Sequence, residues 1–127
     1  MPILIKVPPQ ELAPVPVSID VPKTKIGIAK KGERAFVWFS ETQGGRGLIA
    51  RGIVHEIEPC SEKTIRITLS EMIIASKWLG NAQLEPLRNS DSVTPDSTLA
   101  KKLYKYSLNR AVRLTDEEDN FLNSFVG

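Results

Sequence analysis

The chain has 127 residues, 41% of them apolar and 25% charged, with a net charge of +2, which excludes wholesale disorder and leaves room for one ordinary domain rather than two. No apolar run approaches the roughly twenty residues that a membrane helix needs, and Met1-Pro2-Ile3-Leu4-Ile5 is soon broken by Lys6 and Pro8-Pro9, so neither a membrane span nor a signal peptide is expected. The single cysteine, Cys60, forms no internal disulfide and cannot by itself build a zinc site, so a reducing, cytoplasmic setting is expected, without metal or cofactor.

Charge is unevenly spread. Residues 1–22 sum to −1 and residues 114–127 to −4, whereas the body, 23–113, carries sixteen Lys/Arg against nine Asp/Glu, net +7. A basic body of this kind suits a polyanionic partner, although solvated helix faces such as Lys101-Lys102 raise the same count.

Residues 1–22 contain six prolines, at positions 2, 8, 9, 14, 16 and 22, interleaved with Val and Ile. Proline removes ladder donors, so this stretch is expected to be an arm packed on the domain with short edge strands. A polyproline ligand for another domain is the other reading. The single domain is then 23–127.

Lys30-Lys31-Gly32-Glu33 reads as a turn, and 35–40 as a strand with Phe36, Trp38 and Ser40 on one face and Val37, Phe39 and Glu41 on the other. Apolar residues on both faces imply burial on both sides, in a small closed barrel or beneath a helix. The loop Thr42-Gln43-Gly44-Gly45-Arg46-Gly47 follows, then a long strand over 48–58 whose Gly52 signals a bulge or a close backbone approach.

Residues 59–63 form the next turn, and 64–69 alternate Ile65, Ile67 and Leu69 inward with Arg66 and Thr68 outward, completing an antiparallel meander. Between Ser70 and Asn89 the period is lost, and short helical turns are expected around Trp78 and Leu84, ending at Pro86; 89–93 is a surface loop. Thr94-Pro95 is an N-cap signature opening a helix whose Leu99, Leu103 and Tyr106 recur at helical spacing to about Asn109. Val112-Arg113-Leu114 reads as a brief extended segment. Thr115-Asp116-Glu117-Glu118 is a capping box opening a last helix with Phe121, Leu122, Phe125 and Val126 as its apolar face. Its four acids complement the helix dipole.

Catalytic patterns are missing. His55 is the only histidine, and a His55–Cys60 pair has no evident orienting carboxylate. The Gly44-Gly45-Arg46-Gly47 loop lacks the Lys-Ser/Thr ending of a P-loop, and no Asp/Glu set is grouped for magnesium. The expectation is a binder, not an enzyme.

Several of these segments, taken together, resemble the PUA-like superfamily, specifically EVE-type domains. The matching positions are Gly32-Glu33-Arg34, Phe36-Val37-Trp38-Phe39-Ser40, Gly44-Gly45-Arg46-Gly47-Leu48, Ala50-Arg51-Gly52-Ile53-Val54 and Leu114-Thr115-Asp116-Glu117-Glu118, spanning about residues 24–127. EVE-type domains begin with an aromatic-rich strand, where this chain has Ile3-Leu4-Ile5-Lys6. The resemblance implies an α+β fold, a small twisted, mainly antiparallel β-barrel with peripheral helices, of a kind that binds RNA or holds a flipped, often modified, base in an aromatic-lined pocket.

By that resemblance Trp38 and Ser40 lie on the pocket-side strand, Gly45, Arg46 and Gly47 edge its mouth, and Arg51 belongs to the opposing wall. Stacking on an aromatic contributes about 1–3 kcal/mol while flipping a base costs a few, so a second aromatic is wanted; Trp78 and Tyr104 are candidates by residue type. Each residue also has a plainer reading. Trp38 between Val37 and Phe39 fits a core, Arg46 a flexible loop, and Arg51 a cross-strand partner. The resulting expectation is a non-enzymatic domain binding DNA or RNA, with a protein-interaction or scaffold module on the same fold as the alternative.

Overall fold

The structure, a computed structural model, describes residues 2–7, 17–22, 30–39, 47–59, 61–62, 64–77, 79–80, 94–105 and 110–126, with backbone alone at 7, 17–22, 96, 102–105 and 110–112. The elements are β1 (Ile3–Val7), β2 (Val17–Pro22), β3 (Arg34–Phe39), β4 (Gly47–Pro59), β5 (Thr64–Ile74), α1 (Pro95–Lys105), β6 (Arg110–Arg113) and α2 (Asp116–Asn123). The six strands form one mixed sheet in the order β2-β5-β4-β3-β1-β6. Only β1 and β3 run parallel; the other neighbours are antiparallel.

The place of β1 in the sheet differs from the sequence expectation. The segment 3–7 is not an edge strand of an arm: it is hydrogen-bonded on both sides, to β3 and β6, with Ile3, Leu4 and Ile5 wholly buried. Of the two strands in residues 1–22, only 17–22 lies at an edge. Three consecutive large apolar residues are buried because each face of this sheet is covered.

Two cores follow from the strand period of two. Ile3, Ile5, Ala35, Val37, Phe39, Val54, Ile65, Ile67 and Leu69 form a cluster that, among the described residues, contains no helix residue. A sheet can bury one of its faces against itself only by curling, and the edge strands β2 and β6 do come close to one another. They are not joined by a ladder, so the sheet is curled and open rather than a closed barrel. On the other face, Leu4, Phe36, Trp38 and Leu48 meet Leu79, Leu99, Ala100, Leu114 and Leu122, the last group brought by the helices and their flanking segments. The two-sided burial expected of 35–40 therefore has two different causes, strands on one side and helices on the other.

Bulges supply the curl. Gly52 of β4 faces Glu71 and Met72 where Arg51 pairs with Ile73 and Ile53 with Ser70, so β5 carries one extra residue there. Glu71 has φ 52°, and a Cβ on Gly52 would lie 2.4 Å from Met72 Sδ and 3.1 Å from Ser70 O. Two further irregularities leave Ile49 extra against β3 and His55 extra against β5. The strand expected over 64–69 continues through Ser70–Ile74, where no period is legible; Trp78, Leu84 and the rest of 81–93, where helical turns are expected, lie outside the described residues.

The helices are held by their caps. Thr115 Oγ1 accepts from the Glu118 N–H at 3.2 Å, and Glu118 Oε1 accepts from the Thr115 N–H at 2.8 Å, closing the expected capping box. Glu118 is fully buried because its other oxygen accepts from Thr98 Oγ1–H of α1 at 2.9 Å. One carboxylate thus starts α2 and joins it to α1. The α1 helix starts at Pro95, after Thr94, and its Leu99 is buried; the side chains of Leu103 and Tyr106 lie outside the described residues.

Candidate ligand-binding end of the sheet

The strand directions sort the chain into two ends. Because β1 and β3 are parallel and β4, β5, β2 and β6 alternate from them, Val7, Val17, Phe39, Gly47, Ile74 and Arg110 all stand at one end. The chain between β1 and β2, between β3 and β4, and from α1 into β6 is attached there. The opposite end carries the turns 30–33 and 59–64 and the step from β6 into α2.

Most of the residues singled out in the sequence are chain neighbours of element ends that stand at this loop end. Ser40 follows β3, Gly45 and Arg46 precede β4, Trp78 lies four residues past β5, and Tyr104 is in the last turn of α1. Ser40, Gly45, Arg46 and Trp78, and the side chain of Tyr104, lie outside the described residues.

Gly47 fixes how two of those segments meet. Its φ is +88°, and a Cβ there would stand 2.4 Å from the Leu79 carbonyl oxygen and 2.9 Å from the Gly80 Cα. The Leu48 N–H donates to Leu79 O at 3.0 Å. Only a glycine permits this backbone contact, both for its conformation and for its lack of a side chain. Arg46 and Trp78 are the chain neighbours of the two residues that touch.

Trp38 is corrected. Its ring is 2% exposed, enclosed among Leu4, Phe36, Leu48, Leu79 and Leu99. A ring covered by side chains presents no face to a base, so Trp38 is a core residue that supports the loop end from beneath. Arg51 is half-buried on the helix-covered face, where its Nη1 donates to Asn123 Oδ1 of α2. His55 is the exposed extra residue of a bulge, and Cys60 lies outside the described residues. Among the described residues no cluster of His, Cys, Asp and Glu could hold a metal ion, and no helix is long and apolar enough to cross a membrane.

Sequence reasoning missed one pairing. Arg34 Nη1 donates to Asp119 Oδ2 at 2.8 Å, beside a cleft of about 360 Å³ lined by Pro2, Gly32, Glu33, Arg34, Ile53 and Asp119. From the sequence alone, Asp119 is only one of four acids that complement the helix dipole. The available signal was spacing: Asp119 and Asn123 stand one helical turn apart beside the buried Leu122, where polar groups meet the sheet rather than water. Farther along, Ile73 and Ile74 are 38% and 61% exposed near the loop end. No family model, curated protein or solved structure matches this chain.

Proposed function

We propose that this chain is a non-enzymatic nucleic-acid-binding domain of the PUA-like, EVE type, and that its loop end receives a base, modified or flipped, from DNA or RNA. The observation that carries this reading is the close contact of Gly47 with Leu79 and Gly80 at one sheet end, since Arg46 precedes the first of these residues in the chain and Trp78 the second. The curled, mainly antiparallel sheet with peripheral helices and the basic body also fit it. With Trp38 in the core, stacking falls to Trp78 or Tyr104. Lys and Arg neutralise phosphates, and Arg46 with loop N–H groups reads the base edge.

Titration of labelled single- and double-stranded oligonucleotides, with and without modified bases, tests the proposal. Binding should weaken steeply between about 50 and about 200 mM salt, and Arg46→Ala should weaken it further without lowering stability. If no oligonucleotide binds above background at low salt, the nucleic-acid reading fails. The exposed Ile73 and Ile74 favour the second reading, a protein-interaction module. That reading predicts a partner whose binding is insensitive to salt and lost on Ile74→Asp.

A further inference from the structure

Two arginines on adjacent strands share an arrangement that the loop end does not explain. Arg34 of β3 donates to Asp119 and Arg51 of β4 donates to Asn123, so one face of α2 holds both guanidinium groups. In register Arg34 stands opposite Ile53, two residues from Arg51, which separates the two arginines by about 7 Å along the sheet. Ile73 stands opposite Arg51 on β5. Arg34, Ile53, Arg51 and Ile73 therefore form a stripe beside α2, leading from the cleft at the turn end toward the loop end.

Neither arginine is saturated. A guanidinium has five N–H donors, and each of these commits one Nη to the helix, with no other partner among the described residues. The Arg34 side chain is 40% exposed. Asp119 grips it with one oxygen only; Oδ1 is buried without a partner. A pair built purely for stability would use the two-pronged geometry available to Arg and a carboxylate. This single contact orients Arg34 while leaving its other donors facing the cleft. Exposed Lys30 and Lys31, in the turn before Arg34, extend the positive charge outward.

We infer that this stripe carries the sugar–phosphate backbone of a single nucleic-acid strand whose base lies at the loop end. Arg34 and Arg51 donate to two phosphates of that strand, and Ile53 and Ile73 lie against the sugars. The inference rests on the nucleic-acid reading above, and it assigns to that function two residues that otherwise only anchor α2.

The test measures binding of labelled oligo-dT and of a single-stranded RNA as a function of salt, with circular dichroism to confirm folding. Arg34→Gln and Arg51→Gln should each weaken binding about threefold to tenfold at about 50 mM salt and reduce the salt slope by about 0.7. Asp119→Asn removes the competing carboxylate and should tighten binding, whereas Asn123→Asp places a carboxylate beside Arg51 and should weaken it. These two helix variants decide the matter if an arginine variant does not fold. If the unmodified protein binds while every folded variant keeps its affinity and slope, the stripe is only a helix anchor and the inference falls. If the unmodified protein binds nothing, the functional reading itself is wrong and the stripe falls with it.

Discussion

Gly32 and Gly47 stand at opposite ends of the sheet with nearly the same backbone conformation, φ +87° and +88°, and opposite surroundings. A Cβ on Gly32 would meet nothing within 4 Å, whereas one on Gly47 would strike the Leu79 carbonyl. The turn end is closed by hydrogen bonds in open space: the Gly32 N–H donates to Val54 O and the Val54 N–H to Glu33 O, both at 2.8 Å. The loop end is closed by backbone pressed against backbone. Conformation alone requires glycine at the first; conformation and shape together require it at the second. The contact fixes Gly47 against Leu79 and Gly80, a constraint that a plain turn does not carry.

The largest effect is expected where these requirements combine. Gly47→Ala adds the cost of a left-handed backbone, about 1–2 kcal/mol, to a backbone clash that only movement of 79–80 relieves. Its destabilisation should exceed about 3 kcal/mol in denaturant unfolding. Oligonucleotide affinity should fall with it even at temperatures where the variant remains folded. A Gly47→Ala variant with unaltered stability would show that the contact with Leu79 does not organise the loop end.

Next comes the helix junction beside the turn end. Glu118→Ala removes half of the capping box, takes the side-chain acceptor from the Thr115 N–H, and breaks the Thr98–Glu118 hydrogen bond that joins the helices, leaving the Thr98 hydroxyl to the Pro95 carbonyl alone. A loss of about 2–3 kcal/mol is expected from a broken cap combined with the loss of a hydrogen bond to a buried carboxylate. Glu118→Gln keeps the shape and one acceptor and should recover part of that loss. Equal losses in the two variants would mean that the charge, not the hydrogen-bond pattern, holds the helices together.

How far this division was legible in the sequence depends on the range of the forces that set each element. Local chemistry was readable. The Thr115–Glu118 capping box and the alternation of Ile65, Ile67 and Leu69 are set by neighbours within a few residues, and Gly52 marks by its residue type the close approach of Ser70 and Met72 from β5. The second half of β5 was missed because the extra residue near Glu71 and Met72 breaks the alternation through Ser70-Glu71-Met72-Ile73. The interior position of β1 was missed for a different reason. Its parallel partner begins about thirty residues later, and prolines on either side suggested an edge. What covers Trp38 could not be read locally either, since alternation only separates two faces and it is the packing of α1 and α2 that encloses the one carrying Trp38.

The smallest of these effects isolates conformation from shape. Gly32→Ala places a methyl group into empty space, so its only cost is the left-handed backbone, about 1–2 kcal/mol, or a fall in Tm of about 3–8 °C. Gly32→Asn should cost less, because asparagine tolerates this conformation better than alanine does. At position 47 the order should reverse: asparagine adds bulk where even a methyl group collides, so Gly47→Asn should be no better tolerated than Gly47→Ala. Measuring the four variants by thermal unfolding separates the two constraints. If asparagine rescues both positions to the same degree, the close approach at Leu79 relaxes at little cost, and the loop end is no more tightly built than the turn opposite it.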